Sequence, residues 1–155
     1  MTKYEVVPAT EEHAKVIAPQ MRQVDIDELW ASWHVLPLDG ILQSMRGSRD
    51  PKVGLADGVP ACIFGVAERS ILSGVGYPWL MATPEIKNHA LRFLRMTKEY
   101  MQGVKRRYSL LENYGDARNT EAFKWMEWLG FEILPAEPYG IEQLPFRKFT
   151  MAGEG

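Results

Sequence analysis

Hydrophobic and polar positions change period several times along the chain, and the changes mark out its elements. Residues 3–8 (Lys-Tyr-Glu-Val-Val-Pro) read as a short strand closed by Pro8. Thr10 then stands as an N-cap ahead of Glu11 and Glu12, which suit the positive end of a helix dipole. Ala14, Ile17, Met21 and Val24 follow at helical spacing, and Pro19 inside that pattern predicts a kink or split near Ala18. A second short helix is expected from Leu38 to Met45, ending at Gly47. Two strands, Lys52 to Asp57 and Pro60 to Glu68, flank Asp57-Gly58, a dipeptide that favours a tight hairpin turn. A third, Gly76 to Thr83, places Tyr77, Trp79 and Met81 on one face.

Thr83 followed by Pro84 reads as a helix start, a hydroxyl N-cap and then proline at the first helical position. The helix is expected to reach about Gln102 with Ile86, Ala90, Phe93, Leu94, Thr97 and Met101 on one side. Arg92, Arg95 and Glu99 lie opposite, and Gly103 ends it. Tyr108 to Asn113 returns as a strand, and Asn119 or Asp116 caps a helix that turns Ala122, Met126 and Leu129 inward and stops at Gly130. Phe131 to Leu134 and Phe146 to Met151 form a last strand pair around a loop holding Pro135, Pro138, Gly140 and Pro145. The order β-α-α-β-β-β-α-β-α-β-β is mixed α/β: an antiparallel meander, then β-α-β units with right-handed crossovers. No repeat or linker divides it, so residues 1–155 read as one domain.

Composition narrows the class. At 155 residues, 46% apolar and 25% charged, the chain is neither disordered nor fibrous. Its longest apolar stretch, around Ala61 to Ala67, is far short of the ~20 residues a membrane helix needs. The opening Met1-Thr2-Lys3-Tyr4-Glu5 has no apolar signal-peptide core, so the expectation is a soluble, cytoplasmic protein. Cys62 is the single cysteine, which excludes an intramolecular disulfide and a cysteine zinc cage and suits an inert core thiol. His13, His34 and His89 have no metal-ligand spacing, so no metal is expected, and no Ser-His-Asp arrangement, P-loop or dinucleotide fingerprint occurs.

Charge is uneven. The first third holds the acidic clusters Glu11-Glu12 and Asp25, Asp27, Glu28. Between Ile86 and Arg107 stand seven basic residues (Lys87, Arg92, Arg95, Lys98, Lys105, Arg106, Arg107) against one acid, Glu99. That segment reads either as a local anion site or as a solvated helix face. It lacks the interleaved exposed aromatics of a nucleic-acid stacking platform, so nucleic acid is not the expected partner.

The stretch Asn119-Thr-Glu-Ala122-Phe-Lys-Trp-Met126-Glu-Trp-Leu129-Gly130-Phe131 resembles the C-terminal motif of the GCN5-related N-acetyltransferase superfamily. Asn119 can satisfy an orphan amide, Ala122 permits close approach to the helix, Gly130 supplies a left-handed cap and Phe131 turns into the core. Leu111-Glu112-Asn113 resembles the superfamily's fifth strand, which splays from the fourth to open an acetyl-coenzyme A cleft. With the matching element order the resemblance spans nearly the whole chain, and it implies a mostly antiparallel sheet with helices on both faces. A narrower likeness, carried by Trp79-Leu-Met-Ala-Thr83, Leu91-Arg-Phe-Leu-Arg95, Asn113-Tyr-Gly-Asp-Ala-Arg-Asn119 and Pro145-Phe146-Arg-Lys-Phe149, is to small internal virion or morphogenesis proteins of short-tailed phages.

The resemblance implies acetyl-coenzyme A as cofactor, with contacts from Met81, Ala82, Thr83, Lys87, Asn88, His89, Asn113, Asn119, Ala122 and Met126. A strand amide near Met81 or Ala82 would polarise the thioester carbonyl. Candidate catalytic groups are Glu112 as base, with Asp116 as a second candidate, and Tyr114 as acid. Glu112 reads equally as a solvent-facing charge, Tyr114 as a packed turn tyrosine, and His89 as a surface histidine. Trp30 and Trp33 could line a substrate cleft or merely cover the sheet, and Trp125 and Trp128 suit burial or a protein contact.

Two departures from the superfamily pattern matter. The phosphate loop normally carries glycines, whereas Thr83-Pro84-Glu85-Ile86-Lys87-Asn88-His89-Ala90 has none. The position of the usual tyrosine acid is Met126, which has no proton to give. Two functions therefore stand side by side. One is acetyl transfer to an amine acceptor. The other is a catalytically silent acetyltransferase-like protein of a phage, in virion assembly or bound to a host protein, working in the host cytoplasm or packaged in the virion; a homodimer suits either.

Overall fold

A computed structural model describes residues 1–155. Its strands are β1 (Tyr4–Pro8), β2 (Lys52–Ala56), β3 (Val59–Ala67), β4 (Val75–Ala82), β5 (Leu110–Asp116), β6 (Glu132–Tyr139) and β7 (Leu144–Ala152). The helices are α1 (Glu11–Ile17), α2 (Gln23–Trp33), α3 (Pro37–Arg46), α4 (Ala90–Lys105) and α5 (Thr120–Leu129). One seven-stranded sheet runs β1-β2-β3-β4-β5-β7-β6, antiparallel throughout except between β4 and β5. The last strand is thus inserted between β5 and β6, an order that local pattern does not dictate.

Local chemistry sets most boundaries. Thr10 caps α1 in a reciprocal box: its hydroxyl accepts the His13 amide at 3.2 Å and the His13 ring accepts the Thr10 amide at 3.1 Å. Pro19 does split the first helix, through a 3₁₀ turn at Ala18–Gln20, and α2 then forms as a separate helix that the expected element order does not count. Asp57 and Gly58 adopt φ of 49° and 78°, the left-handed pair that a two-residue hairpin requires. Gly130 caps α5 at φ 107°, and the Asn119 side chain accepts the Ala122 amide at its start.

Five expectations are corrected. The segment after Thr83 is a 3₁₀ turn, Pro84–His89, and α4 begins only at Ala90. The Thr83 hydroxyl caps nothing, because it is buried and donates across the sheet to the Ala61 carbonyl. Gly103 does not end α4: the next residue, Val104, is buried in the core, and that burial outweighs the ~1 kcal/mol penalty of a helical glycine. The final strands run through Pro135, Pro138 and Pro145 rather than stopping at them. Their register shifts between Ile133 and Ala136, and β6 lies at the sheet edge where missing donors are tolerated. In α5 only Phe123 is buried; Ala122, Met126 and Leu129 are half-buried, and Trp128 is exposed.

Alternation along the strands divides the core between two faces. Ile17, Ile41, Val53, Ile63 and Met81 pack with α1 and α3 on one face. Cys62, Phe64, Ala82 and Phe93 pack with α4 on the other, continued by Met101, Leu111, Phe123, Phe131 and Phe149 under α4 and α5. Space is tight where β2 meets α4: a Cβ on Gly54 would come 2.6 Å from Phe93 Cε1 and 2.8 Å from Cys62 Sγ. Gly54→Ala should therefore lower stability by about 1–3 kcal/mol in chemical denaturation, with the unfolding slope unchanged.

Candidate active site

β4 and β5 run side by side for only two pairs, Val75 with Leu110 and Gly76 with Leu111, and then part. Pro78 has no N–H to continue the ladder, and its carbonyl instead accepts the Asn113 side-chain amide at 3.0 Å. Beyond that point the strand ends are tied to α2 rather than to each other. Asp25 Oδ2 accepts the Ala82 amide at 3.0 Å, and Glu28 Oε1 accepts the Asp116 amide at 2.7 Å. The Arg22 amide donates to the Ala82 carbonyl at 2.8 Å, which closes a second link between the start of α2 and the end of β4.

The parting opens a cavity of about 170 Å³. Arg22, Asp25, Glu28 and Leu29 wall it on the α2 side, Trp79 to Met81 and Asn113 to Gly115 along the strands, and Phe93, Leu94, Thr97 and Met101 on α4. Asn119, Ala122, Trp125, Met126 and Leu129 complete it from α5, which is why those apolar residues are only half-buried. Most of the wall is hydrophobic, so charge inside it is poorly solvated.

Four carboxylates ring the parting, and their environments differ. Asp25 is buried, and burial raises its pKa against the opposing pull of Arg22, whose guanidinium meets both carboxylate oxygens at 2.9 and 3.0 Å. For Glu28, burial is again the largest cause; the Asp116 amide opposes it, the Asp25 and Asp116 charges add to it, and the carboxyl is pushed up to about 7. Burial also pushes Asp116 upward, but hydrogen bonds from Arg118 outweigh it and the net shift is downward. Glu112 is ion-paired to Lys148 at 3.0 Å.

The structure brings together six of the residues expected from the sequence. Met81, Asn113, Tyr114, Asn119, Ala122 and Met126 all line the cavity. Glu112 does not: alternation along β5 turns it away from α5, and Lys148 on β7 takes its charge. Ala82 and Thr83 are buried at the end of β4 without reaching the cavity, the Ala82 amide being held by Asp25 and the Thr83 amide by the Ala61 carbonyl. Met81 shares that strand side with Thr83 and faces β3, so the amide turned into the parting between Pro78 and Ala82 is that of Leu80. Tyr114 stacks on Tyr139 at 4.1 Å, and the Glu137 carboxylate, followed by burial, raises its phenol pKa.

Lys87, Asn88 and His89 surround a separate hollow with Tyr4, Arg92 and Arg95, at the N-terminus of α4. No side chain caps that terminus, which continues directly from the Pro84–His89 turn, and Lys87, Arg92 and Arg95 form no ion pair, so three cations without an acidic partner meet there. Asn88 donates to Glu85 at 3.1 Å, and the His89 ring is hydrogen-bonded to the Tyr4 hydroxyl at 2.7 Å. No cluster of three or more His, Cys, Asp or Glu is placed to hold a metal ion, and no helix is long and apolar enough to cross a membrane.

Sequence reasoning missed Arg22, Asp25 and Glu28 as site residues. Their signal was present only as an acidic cluster; that two of its members, three apart and so on one helix face, meet two strand ends depends on contacts across 57 and 88 residues. The burial of Glu28 has a thermodynamic signature. The folded chain holds its proton from the ordinary carboxyl value of 4.5 up to about 7, so the stability from that proton is complete below 4.5 and is lost as pH rises through about 7. Glu28→Gln should gain stability relative to the wild type as pH rises across that window, measured by denaturation at each pH.

No protein-family model and no curated protein matches the chain. Solved structures do. The ribosomal-protein-alanine N-acetyltransferase of Brucella melitensis aligns over 96% of this chain and 99% of its own, with a TM-score of 0.71 and 12% identity. A GCN5-related N-acetyltransferase of Kribbella flavida aligns over 96% and 97%, with a TM-score of 0.71 and 14% identity. A ribosomal L7/L12 alpha-N-protein acetyltransferase, solved in complex with coenzyme A, aligns over 97% and 94%, with a TM-score of 0.69 and 12% identity. At such identities the likeness is one of architecture: a mixed sheet of seven mostly antiparallel strands, helices on both faces and a single parallel pair give this chain the GCN5-related N-acetyltransferase fold.

Proposed function

We propose that the protein transfers an acetyl group from acetyl-coenzyme A to an amine. The observation that carries this reading is the parting of β4 from β5 around an apolar cavity, with a basic hollow at the start of α4. A long, flexible, largely apolar arm suits the cavity, and phosphates suit the hollow, where Lys87, Arg92 and Arg95 supply charge. Acetyl-coenzyme A would contribute the activated acyl group as a thioester. Around it Asn113, Asn119, Ala122 and Met126 form the wall of the arm's channel, and the Leu80 amide offers a donor to a carbonyl oxygen. Tyr114, at the mouth and in contact with Tyr139, is the hydroxyl available to protonate a departing thiolate in place of the methionine at 126.

A second reading has its own support. The Pro84–His89 turn holds no glycine, Asp25 occupies the Ala82 amide, and Met126 donates no proton. A silent member of this fold, serving in virion morphogenesis or against a host protein, would have those features, and the likeness of Trp79–Thr83 and Asn113–Asn119 to small phage proteins supports that setting.

Calorimetric titration with acetyl-coenzyme A and with free coenzyme A separates the two. Micromolar binding is expected, and Lys87→Ala combined with Arg92→Ala should weaken it by about tenfold or more, since each charged hydrogen bond contributes about 1.5–3 kcal/mol. Absence of binding at millimolar ligand would favour the silent protein. Tyr114→Phe should lower the turnover of acetyl-coenzyme A by roughly 100-fold while leaving its affinity unchanged, as measured by thiol release.

A further inference from the structure

We propose that Glu28 is the general base of this site, taking the proton from the acceptor amine. The assignment rests on the acetyl-transfer reading and names the group that starts the reaction.

Elimination among the carboxylates leads to it. Asp25 spends both oxygens, on the Arg22 guanidinium and the Ala82 amide. Asp116 is gripped by Arg118, which reaches its two oxygens at 3.0 and 2.6 Å. Glu112 is neutralised by Lys148 and lies off the cavity. Glu28 lines the cavity, is fixed by one oxygen on the Asp116 amide, and has no ion-pair partner. Its other oxygen, Oε2, makes no hydrogen bond within the protein and is not sealed from solvent. A carboxylate held by one oxygen and open at the other is oriented for proton transfer, whereas a fully paired one is not.

The groups that face it fit the role. Arg22 and Asp25 flank it on α2, Asp116 meets it from β5 with Arg118 behind, and the Tyr139 phenol approaches from β6. Burial, together with the two neighbouring aspartates, makes Glu28 a stronger proton acceptor than an exposed glutamate, with its carboxyl near 7. The Gly140 region of the β6–β7 turn docks on the end of α2 through the Ile141 and Glu142 amides, at 2.9 and 3.1 Å from the Ser32 and Ala31 carbonyls, which fixes that phenol relative to the helix.

Glu28 Oε2 takes one proton from the incoming ammonium and returns it to solvent. The freed nitrogen lone pair forms a C–N bond to the thioester carbonyl, and the C–S bond breaks with its electron pair on sulfur. The nitrogen sheds its second proton to solvent, and Tyr114 gives its hydroxyl proton to the sulfur and regains one from solvent, so one proton is released net.

The test uses the intact protein, coenzyme A, acetyl-coenzyme A and glycinamide as a small primary amine. Calorimetry comes first: absence of coenzyme A binding overturns the acetyl-transfer reading itself. With binding established, thiol release is followed across pH. The expected results are a rising limb of kcat/KM centred near 7 in the wild type and a loss of about 100-fold or more in Glu28→Gln, with coenzyme A affinity unchanged. A Glu28→Gln protein that keeps both rate and limb overturns the assignment, and so does a wild type that binds coenzyme A yet releases no thiol above the buffer rate. Carboxyl-labelled glutamate in the wild type gives a readout that needs no variant: one glutamate titrating near 7 is expected, and none doing so overturns the proposal.

Discussion

Two carboxylates one helical turn apart hold two strands apart. Asp25 takes the last amide of β4 and Glu28 the last amide of β5, so the strand ends find partners on α2 instead of on each other. A parallel pair would otherwise extend until its backbone groups were satisfied, because a buried, unpaired amide costs roughly 1–3 kcal/mol. Pro78 stops the ladder on one side and Asn113 bridges the first gap, but it is the α2 carboxylates that make the wider opening affordable. The cavity, the half-buried wall of α5 and the raised Glu28 carboxyl all follow from that arrangement.

The same arrangement sets the electrostatics of the site. Arg22 compensates Asp25 and Arg118 compensates Asp116, each through paired hydrogen bonds, whereas Glu28 lines the opening without a direct ion pair and feels Arg22 only at longer range. Such a group is costly for stability and useful for chemistry, the usual relation between strain at a site and function. In the separate hollow at the start of α4 the balance is reversed. The Pro84–His89 turn holds no glycine, and the basic side chains of Lys87, Arg92 and Arg95 gather beside it. An anion held there would be gripped more by side-chain charge than by a nest of amides, so its binding would be sensitive to salt.

Much of the fold was legible along the chain, for local reasons. Thr10, Pro19, Asp57-Gly58, Asn119 and Gly130 act on their own neighbours, through a cap, a missing donor or a left-handed residue, and each does in the structure what its chemistry suggests. Local signals failed where a distant contact outbid them. Thr83 had a better partner in Ala61 than in the turn after it, Val104 carried α4 past Gly103, and the edge position of β6 let strands pass through prolines that read as loop.

The sequence by itself determined the mixed α/β class, the element order apart from α2 as a separate helix, and the caps of α5 at Asn119 and Gly130, because spacing, capping and turn chemistry act within a few residues. That Asn113, Tyr114, Asn119, Ala122 and Met126 line one cavity agrees with what the family resemblance implied, not with anything local spacing dictates. Only the tertiary structure decided that β7 enters between β5 and β6, that Glu112 is spent on Lys148, and that Glu28 stands at the opening with one oxygen free. Those facts depend on the desolvation and partners supplied by segments up to 88 residues away, which no local pattern encodes.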